Sequence, residues 1–222
     1  MYLGLKEAKD VWGLQASLND RILVDRQLES GLGFDDIRDN PILAKKWILN
    51  FSRAAIHEYI ELDEAILEKD TQNILVEMVD ILHFIVSIAQ TVYARDEYET
   101  DWMARLFGVQ PTLDNTCRKK LPPQRYPLLF GEVLEGIRTL CVVEEELHFK
   151  WWSRKTVDDT KVMHAIERVF RHYWSLADML GIEHMSIYKA YIAKNAINHK
   201  RQDNNYNEDT KTETDNRCIV QD

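Results

Sequence analysis

The chain has 222 residues, enough to bury a sizeable core as one compact domain or as two closely packed halves. Its net charge of −9 argues against a general nucleic-acid coat or a membrane-surface protein, since both meet phosphates with a basic face. Eight glycines and five prolines interrupt long stretches of 3.6-residue apolar periodicity, and no alternating strand pattern appears, so the expected class is all-α.

Residues 5–26 predict a first helix, with Val11, Leu14, Leu18 and Ile22 as its apolar stripe. Beside that stripe lie Gln15 and Asn19, two amides one turn apart on the same face. Before this helix, the opening residues Met1 to Glu7 lack a basic region followed by an apolar run, so no secretory signal is expected. Gly31, Gly33 and the Asp35-Asp36 pair predict a loop, and Pro41 suits the first turn of a helix reaching about Glu68. That helix carries Glu58 and Glu61 at i, i+3, a spacing common on solvated helices.

Lys69-Asp70 leaves room only for a tight turn into the next helix, residues 71–94, so the two should form an antiparallel hairpin. The second helix is apolar nearly all round and therefore buried on most faces, yet it holds Glu77, Asp80 and His83 in one polar stripe. A buried carboxylate requires a partner, a proton or a cation. Glu58, Glu61, Glu77 and Asp80 can converge from the two facing helices, and four carboxylates without a thiolate suit Mg²⁺, or Mn²⁺, better than zinc. The same acids interrupt the most apolar stretch, so no membrane-spanning helix is expected.

A short helix around Trp102 to Phe107 follows a charged segment, and residues 108–127 hold four of the prolines, so they are expected to connect two helical halves. The second half loosely repeats the first as a helix from about Leu128 to Trp152 and another over residues 157–180. It keeps the apolar faces but lacks the full acid set, giving a bundle of two hairpins plus N- and C-terminal helices. Gly181 is placed for a left-handed cap, and a last helix over about 186–202 lines up Lys194, Asn198 and Arg201 on one face, a row suited to phosphate oxygens. Residues 207–222 are polar and predict a disordered tail, leaving 1–206 as one domain. Cys117, Cys141 and Cys218 are odd in number and far apart, as expected of reduced thiols in a cytoplasmic or nuclear protein.

Glu58-x-x-Glu61 and Glu77-x-x-Asp80, followed by Ile81-Leu82-His83-Phe84, resemble the ExxE and ExxD motifs of the all-α (MazG-like) nucleoside triphosphate pyrophosphatases. Within that superfamily the chain most resembles the dimeric dUTPases and phage dCTP/dUTP pyrophosphatases. Gln15-Ala16-Ser17-Leu18-Asn19-Asp20 is similar to their QxxLND segment. Lys194-Asn195-x-x-Asn198-x-x-Arg201-Gln202-Asp203-x-x-Tyr206 is similar to their KNxxNxxRQDxGY segment, with Asn205 in place of its glycine.

The resemblance implies Mg²⁺-dependent cleavage of a deoxynucleoside triphosphate, dUTP first and dCTP next, to the monophosphate and pyrophosphate. It implies metal binding by Glu58, Glu61, Glu77 and Asp80, with Glu61, and next Glu58, acting on the attacking water. It further implies phosphate binding by Lys194, Asn198, Arg201 and Tyr206, and a base or sugar pocket lined by Gln15, Asn19, His83 and Phe84. A homodimer is implied as well, to which Trp102, Trp151 and Trp152 could contribute aromatic surface. The Trp-Lys-x-Trp segment of the dUTPase branch is missing after Glu61, and Lys150-Trp151-Trp152 is the nearest similar run.

Two rival readings follow from the residues. Asp80-x-x-His83 and Glu145-x-x-His148, with Glu58 or Glu61, imitate a carboxylate-bridged di-iron bundle. Alternatively, the acids form a structural ion-pair network in a non-catalytic helical dimer module, with Arg53 as the candidate cation.

Overall fold

The structure is a computed structural model, and it describes residues 3–25, 27–93, 99–108, 126–148 and 157–203. These form eight α-helices and no strand: α1 (Leu5–Asp25), α2 (Phe34–Asp39), α3 (Pro41–Glu68), α4 (Thr71–Val92), α5 (Glu99–Phe107), α6 (Tyr126–Glu146), α7 (Asp159–Met179) and α8 (His184–Asp203). The all-α class read from the periodicity is the class observed. The proline-rich connection, apart from its two ends, the Lys150-Trp151-Trp152 run, Tyr206 and the polar tail lie outside the described residues.

Local chemistry sets the boundaries of the central hairpin. Asn40 caps α3 by accepting from the backbone N–H groups of Ile42 (3.0 Å) and Leu43 (3.2 Å), with Pro41 at the first helical position. Lys69 ends the helix in a left-handed conformation (φ 59°), and Asp70 at once caps α4 through Gln72 and Asn73. Two residues thus reverse the chain and lay α3 along α4. Gly181 adopts the left-handed conformation expected of it (φ 74°) before α8.

The α3–α4 hairpin packs on a second hairpin, α6–α7, through α3 against α6 and α4 against α7. Helices α1 and α8 pack on each other and on α4, which places α4 at the centre. One apolar cluster runs from Leu3 to Tyr191. At Gly136 of α6 the hairpins approach closely: an added Cβ would lie 2.4 Å from the ring of Tyr59. On the second hairpin Glu135 pairs with Arg138 and Arg168, and the Glu132 backbone carbonyl accepts from His172.

Three expectations change. The segment around Gly33 is not simply a loop: a 3-10 turn, Leu28–Gly31, leads into α2, whose Phe34 and Ile37 bury against Leu23, and the Asp36 carboxylate accepts from the Gly33 N–H. By length and composition α4 is apolar enough to cross a membrane despite its acids, and 78% of its apolar 18-residue stretch is buried inside the protein, as in a core helix. Trp102 is no surface aromatic; it is 4% exposed, with its ring 4.4 Å from that of Trp12 and 5.2 Å from that of Tyr93.

Candidate functional site

Helices α1, α3, α4 and α8 enclose a cavity of about 540 Å³. Each contributes one stripe at helical spacing. From α1 come Gln15, Leu18, Asn19, Ile22 and Leu23, and from α3 Trp47, Asn50, Phe51, Ala54, His57, Glu58 and Glu61. Helix α4 adds Glu77, Asp80, His83, Phe84 and Ser87, and α8 adds Lys194, Asn198, Arg201 and Gln202. Every described residue that the sequence marked for metal, phosphate or base lines this one cavity, although these residues are spread over nearly 190 positions of chain.

The acids do not form one symmetrical set. Carboxylate oxygens of Glu58, Glu77 and Asp80 lie within 4.8 Å of one another. Glu61 stands apart from that cluster and accepts instead from His57 Nδ1 at 2.9 Å. Burial, and then the neighbouring charge of Asp80, push the pKa of both Glu58 and Glu77 upward. Each of the two carboxylates also acts on the other, so the pair holds a proton more tightly than free carboxylates do. A third member, Asp80, accepts from the buried ammonium of Lys194 at 2.8 Å. A compact set of oxygen donors that holds a proton tightly is a set a hard divalent cation fits, because the cation can replace the proton.

The cation that reaches the acids comes from α8, not from the first hairpin. The candidate cation Arg53 is exposed and its charge acts on Glu144 of α6, whereas Lys194 makes the ion pair with Asp80. Nor do the elements of a di-iron centre meet. His148 follows α6, its carbonyl accepts from Lys45 (2.6 Å), and neither it nor Glu145 lines the cavity.

At the other end, amides form a closed network. Gln15 donates to Asn19 Oδ1 (2.8 Å) and to Ser87 Oγ (3.0 Å), and Asn19 donates to Ser87 Oγ (3.0 Å) and to Gln90 Oε1 (3.1 Å). His83 Nδ1 lies 2.6 Å from Gln15 Oε1, and the ring stacks on Tyr191 at 4.2 Å. Burial and then the Lys194 charge lower the His83 pKa to about 3, so the ring is neutral. Its Nε2 is buried without a hydrogen-bond partner among the described residues.

Trp47 and Phe51, rings 5.5 Å apart, form an aromatic wall, and the Trp47 Nε1 is a second buried polar atom without a partner among the described residues. Neither residue is marked by the motifs, since the aromatic segment of the dUTPase branch follows Glu61 and does not precede it. Counting back from Glu61 and Glu58 by helical steps through Ala54 reaches Phe51 and Trp47 on the same face. Near Arg201, the Asn198 Oδ1 accepts from the guanidinium at 3.5 Å.

A family model described as dUTPase matches residues 63–206, about two-thirds of the chain. No curated protein matches. The matched stretch contains Glu77 and Asp80 of the acid cluster, His83 and Phe84, and the basic row of α8 with Tyr206; Glu58 and Glu61 precede it and are joined to it by the α3–α4 hairpin. With a family model matched over about two-thirds of the chain, and Glu77, Asp80 and the α8 row inside the match, the chain belongs to the dUTPase family.

Proposed function

We propose that this chain is a divalent-metal-dependent nucleoside triphosphate pyrophosphatase of the all-α, MazG-like superfamily, converting dUTP, and next in preference dCTP, to the monophosphate and pyrophosphate. The observation that carries this reading is the juxtaposition in one cavity of Glu58, Glu77 and Asp80 with Lys194, Asn198 and Arg201 at one end and with an aromatic and amide-lined recess at the other. The domain spans 1–206 and works as a homodimer, with Ile60 and Leu67 of α3 and Leu128, Phe130 and Leu134 of α6 as exposed apolar side chains available to a partner.

Glu58, Glu77 and Asp80 would hold Mg²⁺, with Mn²⁺ as a substitute, and Glu61 would complete the set from beside them. When bound, the ion supplies positive charge to phosphate oxygens and acidity to a water. Glu61, which stands off the buried cluster and is not tied to Lys194, orients the attacking water and takes its proton, with Glu58 next in line. Lys194 and Arg201 neutralise oxygens of the departing pyrophosphate, and Asn198 positions the same group. Tyr206 would close over the phosphates. The base lies between Phe84 and the Trp47-Phe51 wall, against the Gln15, Asn19 and His83 end.

The buried Lys194–Asp80 pair also supports a structural ion-pair network without catalysis. Pyrophosphate release from dUTP, dCTP, dTTP, dATP and dGTP with Mg²⁺, run beside Glu77→Gln, separates the two. Release from pyrimidine substrates that vanishes in the variant supports the enzyme. A folded protein that hydrolyses none of the five with Mg²⁺ or Mn²⁺ overturns it.

A further inference from the structure

A backbone carbonyl, acting through Gln90, sets the direction of the amide network at Asn19 and Gln15. Gln90 Nε2 donates to the Trp12 carbonyl (2.6 Å), so Gln90 turns its Oε1 toward Asn19, which must donate to it. The Ser87 hydroxyl proton has two acceptors in reach, the His83 carbonyl (2.8 Å) and Asn19 Oδ1 (3.2 Å), and with either one Ser87 Oγ accepts from Gln15 (3.0 Å). Both anchors turn the Gln15 oxygen the same way, toward Tyr191 and His83. The Tyr191 hydroxyl donates to it at 2.6 Å, and His83 Nδ1, at 2.6 Å, can meet an acceptor only as N–H. A neutral imidazole protonated at Nδ1 has a bare lone pair at Nε2, a buried atom without a partner among the described residues on a ring that lines the cavity.

The amide hydrogens of Gln15 and Asn19 are meanwhile spent on Asn19, Ser87 and Gln90. These amides therefore orient a neighbour more than they offer donors to a ligand.

Resting on the nucleotide reading of the cavity, we propose that Tyr191, Gln90 and Ser87 are positioning residues that lock His83 in the Nδ1–H tautomer, so that Nε2 accepts the ring N–H of a uracil-type base. Neither Tyr191 nor Gln90 lines the cavity. They act through Gln15 and Asn19, and the stack of Tyr191 on His83 holds the ring plane. A site built this way discriminates against a base whose ring nitrogen is itself an acceptor, because two lone pairs would then face each other.

The test is long-range ¹H–¹⁵N correlation on the full chain labelled at histidine, with His83 assigned through His83→Gln. The wild type is expected to show His83 protonated at Nδ1 only, and dUMP should shift the Nε2 resonance while N3-methyl-dUMP does not. Tyr191→Phe, which keeps the ring stack, should weaken dUMP binding about tenfold and leave N3-methyl-dUMP binding unchanged. Equal weakening of both would mean a merely structural role. The Ser87→Ala/Gln90→Leu double variant removes both anchors and should populate both tautomers. A ring protonated at Nε2 in the wild type overturns the proposal even if dUTP is hydrolysed, and so does bound dUMP that leaves Nε2 unmoved. Should the double variant not fold, the Tyr191→Phe comparison decides alone. A ring with the expected tautomer in a chain that binds no dUMP would instead sink the nucleotide reading and, with it, the base-reading role of Nε2.

Discussion

The ammonium of Lys194 lies 2.8 Å from a carboxylate oxygen of Asp80, although 114 positions of chain separate the two residues. Both side chains are largely withdrawn from water, so each depends on the other for charge compensation. Removing the lysine would leave a buried acid cluster with one cation fewer. Lys194→Met is expected to cost about 2–4 kcal/mol of stability without metal, a loss partly recovered on adding Mg²⁺. Pyrophosphate release should fall at least tenfold. Melting curves with and without metal, beside initial rates, check both statements.

Glu77→Gln should separate metal binding from stability. Folding raises the carboxyl pKa values of Glu58 and Glu77 above their ordinary value of 4.5, so the folded state binds protons more tightly than the unfolded chain. Their contribution is therefore most favourable at low pH and is lost as pH rises from about 4.5 through neutral. The metal-free variant should melt higher than wild type at pH 8 and differ little at pH 5. The stabilisation that Mg²⁺ gives wild type should vanish. A variant that melts below wild type at pH 8 and still gains stability from Mg²⁺ would contradict the proton-holding cluster.

His83 works in the opposite sense. Its pKa in the folded protein is lowered to about 3, below the ordinary 6.5, so the unfolded chain takes up the proton first and stability falls as pH drops through that interval. His83→Gln should flatten the acid limb of a plot of melting temperature against pH between about 6.5 and 3.

Gly136→Ala tests the packing between the hairpins. The new methyl would sit 2.4 Å from Cε1 and 2.9 Å from the hydroxyl of Tyr59, a side chain with no exposed surface to retreat through. A loss of about 1–3 kcal/mol is expected, measured by urea denaturation, with Gly131→Ala, which meets nothing within 4 Å, as the control.

The aromatic wall makes a kinetic prediction. Phe51→Ala and Trp47→Ala should raise KM for dUTP about tenfold, the value of one lost aromatic contact, with kcat changed much less. An equal fall in kcat and kcat/KM would place these residues at the reacting phosphates instead.

Much of this molecule was legible in the sequence because its signals are local. The 3.6-residue period, Asn40-Pro41, Lys69-Asp70 and Gly181 mark helix bodies and ends through forces acting within a few residues, and the boundaries of α3 and α4 fall where those residues put them. The acid stripe of α4 announced a buried site because a carboxylate on an otherwise apolar helix needs compensation. What compensates it was not legible. Whether Arg53 or Lys194 reaches Asp80, whether Glu61 joins the three clustered carboxylates, whether Trp102 is surface or core, and which atom of His83 keeps a free lone pair all depend on how α1 and α8 pack on α4. Those contacts join residues from opposite ends of the chain, and no local preference encodes their distances. The sequence by itself determined the helices and the residue types at the site; the tertiary structure decided which of them touch, because hydrogen-bond direction and charge pairing are properties of distance and burial, not of composition.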